Sequence, residues 1–305
     1  MSESNRVSLK YVAETTYGTT PADSPNWQAL RFEKESLGGT PKTTVSNEIR
    51  DDRMISDMPK VGLEAGGEIG IELSATSYDD FIEAALCGTW TTNVLEVGTV
   101  DRSFSIEKVY EDLTGNNIVL LTGQRVAQFN LNREYGNPIT GSFLFAGNGI
   151  TLPASSAVGT GSVAAKTTNP VINAAGDVTL LEYNNAGGIY FKKFDVQINN
   201  NMRPTEAIGY DAPINQRKGE STITISTELY FESIAQYQDV INNASVRLEI
   251  TDSDGTNSYA WLFPACKPTS PPPSAEGKNQ DIMHRMEFTA LYDATEGTAA
   301  RVTRV

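Results

Sequence analysis

The apolar positions of this chain change period partway along one stretch, and the same change recurs later. In residues 66–88, Ile69, Ile71 and Leu73 alternate with polar or small residues, as in a half-buried strand; Tyr78, Phe81, Ile82, Ala85 and Leu86 then recur at helical spacing. In residues 219–242, Ile223 and Ile225 alternate, and Tyr230, Ile234, Tyr237 and Ile241 follow at helical spacing. The stretches align without a gap, Gly67 on Gly219, Glu68 on Glu220, Ile71 on Ile223, Tyr78 on Tyr230 and Ile82 on Ile234, which predicts an internal duplication of one strand-plus-helix unit. Ser77 is the expected N-cap of the first helix, with Asp79 and Asp80 favourable in its first turn. Tyr78, Phe81 and Ile82 in the first copy, and Tyr230, Ile234 and Tyr237 in the second, are the expected helix-packing residues.

Strand patterns flank each unit. In the first half they cover 6–17, 27–37, 100–111, 117–123, 125–132 and 138–147. In the second they cover 188–201, a hairpin over 244–265 that turns at Asp254-Gly255 as a type I′ turn, and 284–294. The expectation is a mainly β, α+β chain with two short helices: a first domain over 1–150, a connecting segment over 151–177 and a second domain over 178–305. Residues 38–66 form a long polar segment carrying Glu48, Arg50, Asp51, Asp52, Arg53 and Asp57, and a segment of this kind is expected to order against a partner subunit. Residues 202–218 hold the shorter counterpart, and 267–280 a proline-rich surface loop.

Charge narrows the partners. With 24 Lys and Arg against 38 Asp and Glu, the formal net charge of the 305 residues is -14, which argues against gripping DNA through its phosphates. It is compatible with a wall that DNA slides past without sticking. No apolar run reaches the roughly 18 residues of a membrane span, and the N-terminal residues lack the apolar core of a signal peptide. Cys87 and Cys266 are expected to be buried free thiols.

Candidate chemistry is sparse. His284 is the single histidine, at the start of a strand pattern, and no Cys/His spacing suits a metal. Asp252, Asp254, Gly255 and Asn257 resemble the opening of a calcium loop without its distal glutamate, so a hairpin turn is the better reading. Trp27, Tyr190, Phe191, Phe194, Trp261 and Phe263 lie in alternating segments and are expected in the core. No catalytic, cofactor or metal site is expected.

Residues 13–21 (AETTYGTTP), 46–53 (SNEIRDDR), 79–90 (DDFIEAALCGTW) and 194–209 (FDVQINNNMRPTEAIG), with 223–231 (ITISTELYF), together resemble the major tail tube proteins of long, non-contractile-tailed bacteriophages. The resemblance covers nearly the whole chain and implies two tandem β-sandwich domains, each with a flanking helix and a long loop. It implies a structural virion protein without catalysis or cofactor: inner strands of neighbouring subunits join into a barrel, rings stack into a tube, and genome DNA passes through the lumen without specific binding. It further implies rings of three subunits with pseudo-six-fold symmetry, or hexamers as the alternative, with tape-measure and tail-terminator proteins as partners, no membrane, assembly in the host cytoplasm and residence in the virion tail. Glu48, Arg50, Asp51, Asp52, Arg53 and Asp57 then fall in the loop that reaches the next ring. The competing reading is a β-sandwich that decorates the capsid or binds the host surface.

Overall fold

A computed structural model describes residues 3–23, 26–115, 117–275 and 277–305. After a 3-10 turn at Ser4–Arg6, the first half contains β1 (Val7–Ala13), β2 (Trp27–Ala29), β3 (Lys34–Glu35), β4 (Gly38–Thr43), β5 (Lys60–Glu72), α1 (Asp79–Ala85), β6 (Val94–Glu96), β7 (Phe104–Tyr110), β8 (Ile118–Glu134), β9 (Thr140–Gly147), β10 (Gly149–Thr151) and β11 (Val163–Ala164). The second contains β12 (Val178–Tyr183), β13 (Phe191–Asn199), β14 (Arg203–Thr205), β15 (Asn215–Arg217), β16 (Thr222–Tyr230), α2 (Ile234–Ile241), β17 (Val246–Ser253), β18 (Ser258–Thr269), β19 (Met283–Ala290) and β20 (Arg301–Arg304).

Strand pairing recurs between the halves. In the first, β1 pairs β7, β7 pairs β8, β8 pairs β9 and β9 pairs β5. In the second, β12 pairs β17, β17 pairs β18, β18 pairs β19 and β19 pairs β16. The long strands β8 and β18 occupy the same place, each passing from one sheet layer into the next. The sequence divides β8 at Gly123 into two predicted strands; the backbone runs through, because Gly123 adopts a positive φ of 66° at the crossover and the ladder resumes on the far side. The hairpin turn at 254 also differs from expectation. Gly255 alone has positive φ, and the Asp254 carboxylate accepts the Thr256 and Asn257 N–H groups in a four-residue turn instead of type I′.

The halves are joined by a direct ladder in which β13 pairs β8 over seven consecutive positions, from Gln128–Asn199 to Glu134–Lys193. Beneath it the core is continuous: Phe129 stacks on Phe143 at 4.6 Å and lies 6.0 Å from Trp261. Arg133 of β8 is buried and makes two hydrogen bonds, of 2.8 and 2.5 Å, to the buried Asp252 carboxylate on β17, between the Phe194 and Trp261 rings. The segment expected to connect the halves packs on the first one, where Ile172 is buried and exchanges backbone hydrogen bonds with Leu73 and Ile139. Of the aromatics expected inside, Trp27, Phe194, Trp261 and Phe263 are buried, whereas Tyr190 is largely exposed because it precedes β13 at the end of the sheet. Both cysteines are buried free thiols, and burial pushes Cys266 up to about 12.

The two helices sit differently on this frame. Phe81 of α1 touches Tyr11 and Phe104 on one layer and Phe143 and Phe145 on the other, at centroid distances of 4.5 to 5.4 Å. Tyr78, Phe81 and Ile82 are all buried. Ser77 does not cap this helix; its hydroxyl turns to Ser74 and Thr167, and Tyr78 stands at the cap position. In the second half, burial alternates through Ile223, Ile225, Thr227 and Leu229, so β16 keeps its period of two to Tyr230, which closes the strand instead of entering the helix. The helix starts at Ile234 behind a Ser233 cap, and Ile234 and Ile241 are 71% and 67% exposed. Tyr237 is half-buried against the His284 ring.

Candidate functional site

Two features of the frame stand out: a broad polar sheet face and a pair of arms at one end of it. The face follows from period-two alternation. Buried Phe129, Leu131 and Arg133 on β8 alternate with outward Gln128, Asn130, Asn132 and Glu134, and β5, β9, β13, β16 and β19 alternate in the same sense. The registers align the outward residues into rows across both halves. One row runs Gly70, Ser142, Asn130, Gln197, Thr224, Thr289, Lys267; the next runs Glu72, Thr140, Asn132, Asp195, Ser226, Glu287, Thr269.

At the join between the halves these side chains bond to one another. Gln128 and Gln197 side chains each donate to Asn130 Oδ1, at 2.9 and 3.1 Å, and Asn130 Nδ2 donates to the Ser142 hydroxyl at 3.1 Å. A groove of about 580 Å³ lies over this join. Carboxylates outnumber cations on it: Glu68, Glu72, Glu134, Asp195, Glu228 and Glu287 face out against Lys34, Lys193, Lys267 and Arg285, and Lys193 and Arg285 are held by Asp195 (2.5 Å) and Glu228 (3.2 Å). A pairing carboxylate raises the Lys193 ammonium above its ordinary value, so it stays charged and neutralised.

The long charged segment is a two-stranded ribbon. β4 and β5 pair from Gly38–Gly66 to Thr43–Lys60, and Thr44–Pro59 and Ser46–Asp57 hydrogen bonds carry the ladder further. Its root is Gly66-Gly67, with φ of 154° and 142°; a Cβ there would stand 2.3 Å from the Phe145 carbonyl oxygen or 2.4 Å from that of Ser36, so only glycine fits. The shorter segment is likewise a hairpin of β14 and β15. It lies beside the ribbon, tied by Lys42–Glu206 at 3.2 Å and Lys60–Asp211 at 3.1 Å. Both arms therefore leave the same end of the sheet.

The sequence-predicted interface residues all lie on the exposed tip of the longer arm. Arg50 pairs with Asp52 at 2.5 Å, which raises the guanidinium and holds the Asp52 carboxyl below its usual range; Glu48, Asp51, Arg53 and Asp57 point to solvent. Composition drew attention to these charges and away from their apolar neighbours. Val45, Ile49, Met54, Ile55 and Met58 are all exposed, Ile49 to 99%. An apolar residue every few positions in a segment too polar to form a core was the available signal. The Arg133–Asp252 tie left no such trace, since its partners are 119 residues apart.

His284 is buried; Ser270 Oγ lies 2.7 Å from Nε2, and burial pushes the ring below its ordinary value, keeping it neutral near pH 7. Among the described residues no helix is long and apolar enough to cross a membrane. A family model described as phage tail tube protein matches residues 4–290 of the chain. No curated protein matches it.

Proposed function

Because the chain belongs to the phage tail tube proteins, we propose that its continuous polar face lines the bore of the tail tube and that DNA passes along it on the way to the host. Membership makes it a structural protein of the virion tail that assembles with copies of itself into a tube. The observation that carries the finer reading is the pair of side-chain rows running unbroken across both halves, rich in amides, hydroxyls and carboxylates. Neutral hydrogen-bonding groups leave phosphates their hydration, and the excess carboxylate repels them over a Debye length of about 8–10 Å. A cationic lining would hold the DNA instead.

The two halves act as successive, nearly equivalent units around the bore, with units 1–150 and 178–305 joined through 151–177. Their internal β8–β13 ladder is the pattern for the joint between chains. The outer edges of β3–β4 and of the last residues of β18 take the corresponding places at the two ends of the shared sheet. Joining them head to tail closes a ring of three chains, which removes the open edges. Prolines 268, 271, 272 and 273 blunt one edge and keep a lone subunit from indiscriminate pairing. Rings stack through the arms, Glu48, Arg50, Asp51, Asp52, Arg53 and Asp57 lying in the contact. Tape-measure protein inside and terminator protein at the end are the expected partners, and assembly precedes lysis in the host cytoplasm.

Negative-stain microscopy of the purified chain tests this reading. Tubes or three-fold rings with a central hole are expected; a persistent monomer overturns it. Deleting residues 42–58 should leave a folded subunit that forms no tubes, and normal tubes from that deletion would refute the role given to the arm.

A further inference from the structure

We infer that the longer arm of one copy seats on an apolar patch at the opposite end of the sheet in the next copy, formed by Tyr135, Tyr190, Tyr230, Ile234 and Ile282. The inference rests on the tube reading above and names the surface that receives the arm. Strand direction places the two surfaces. β5 begins at the arm and ends at Glu72, in register with Thr140, Asn132, Asp195, Ser226 and Glu287. One further row leads through Glu134, Lys193, Glu228 and Arg285 to the far ends of the strands.

Backbone hydrogen bonds bring the segments that carry these residues together there. Tyr230 N–H donates to the Tyr190 carbonyl at 3.0 Å, Phe231 N–H to that of Ile282 at 2.9 Å, and Tyr135 N–H to that of Lys192 at 3.1 Å. Ile234 opens α2 just beyond them. Tyr135, Tyr190 and Ile234 are 75%, 62% and 71% exposed. Tyr230 and Ile282 are exposed too, and Ile234 is the member of the set that lies on α2, so these side chains have no place in this subunit's own core.

The arm supplies the matching shape. Past the Thr43–Lys60 pair the ladder continues to Ser46–Asp57, and residues 47–56 make the tip. Its apolar side chains, Ile49, Met54 and Ile55 among them, lie along that stretch. Membership in a family that assembles as a tube requires one end of each copy to meet the other end of another. Charge at the receiving end is mixed, Lys192 and Arg285 both leaning on Glu228, with Glu134, Glu232 and Asp281 next to the patch residues in sequence. The match is carried by the exposed apolar side chains of both surfaces, and the ionic groups of the arm tip flank it.

Two double variants test the assignment, Tyr230→Ser/Ile234→Ser at the patch and Ile49→Ser/Ile55→Ser on the arm, each followed by thermal melting and electron microscopy. Both are expected to melt like the wild-type protein and to stop at rings, with mixtures of the two giving no tubes. Tubes of normal length from the patch variant would overturn the receiving surface and leave the proposed function standing. A folded patch variant that forms neither rings nor tubes would overturn it too, by placing the patch in the lateral joint. Wild-type protein that forms no tubes would overturn the function itself, and this inference with it.

Discussion

The two helices began as copies of one pattern and ended in opposite roles. Phe81 carries α1 into the space between two sheet layers, with aromatic rings on both sides. In α2 the corresponding turn carries Ile234 and Ile241 outward, and the one buried residue of the helix is Gln236. Each helix still keeps a polar tie to a tyrosine on the sheet, Asp80 accepting from Tyr11 at 3.0 Å and Asp239 from Tyr183 at 2.8 Å. The difference starts in β16, which continues two further alternations past the position where β5 ends and so delays the helix. Two halves with the same strand order can thus differ in whether the helix presents an internal or an external surface.

This contrast can be broken experimentally. Phe81→Ala should cost about 3–5 kcal/mol, as truncation of a buried aromatic does, read as a fall in the denaturation midpoint. Asp252→Ala strands the Arg133 guanidinium in the core joining the halves and should cost roughly 3–5 kcal/mol by the same measurement; equal stability would show the joint to be held by the ladder alone. Ile234→Ala, by contrast, should stay within about 0.5 kcal/mol of wild type. A large loss there would mean that α2 packs as α1 does.

A smaller effect separates the polar ties. Burial first, and the neighbouring carboxylate next, raise the Tyr11, Tyr183 and Tyr259 phenols well above their ordinary value. A group raised on folding contributes stability that is complete below its unfolded value, about 10 for tyrosine, and that is lost as pH rises beyond it. Unfolding titrations between pH 9 and 12, approximate bounds set by that value, should show stability falling with pH. Tyr11→Phe/Tyr183→Phe should flatten the slope, and an unchanged slope would assign it to other groups.

Much of the frame was legible because it is built on local periods. The alternation at Ile69, Ile71 and Leu73, and again at Ile223 and Ile225, located β5 and β16, and the helical spacing after each located a helix. The end of β16 was not legible. Tyr230, Ile234 and Tyr237 fit a helical period, and only Thr227 and Leu229, buried in register with Met286 and His284, show that the strand goes on. The arm was visible as a charged segment of unusual length, but its ladder depends on Gly66-Gly67 meeting backbone from β9 and from the link between β3 and β4. The polar face was less visible still: Asn130, Gln197 and Ser142 are ordinary outward residues until the pairing of β8 with β9 and β13 places them in one row.

The β8–β13 ladder lies within a single chain. Its two strands are tethered and meet at an effective concentration set by the chain, which dilution of the protein does not lower. In the ring proposed above, every second lateral joint would then form without a collision between molecules. In that proposed ring only the remaining lateral joints would respond to the concentration of the protein.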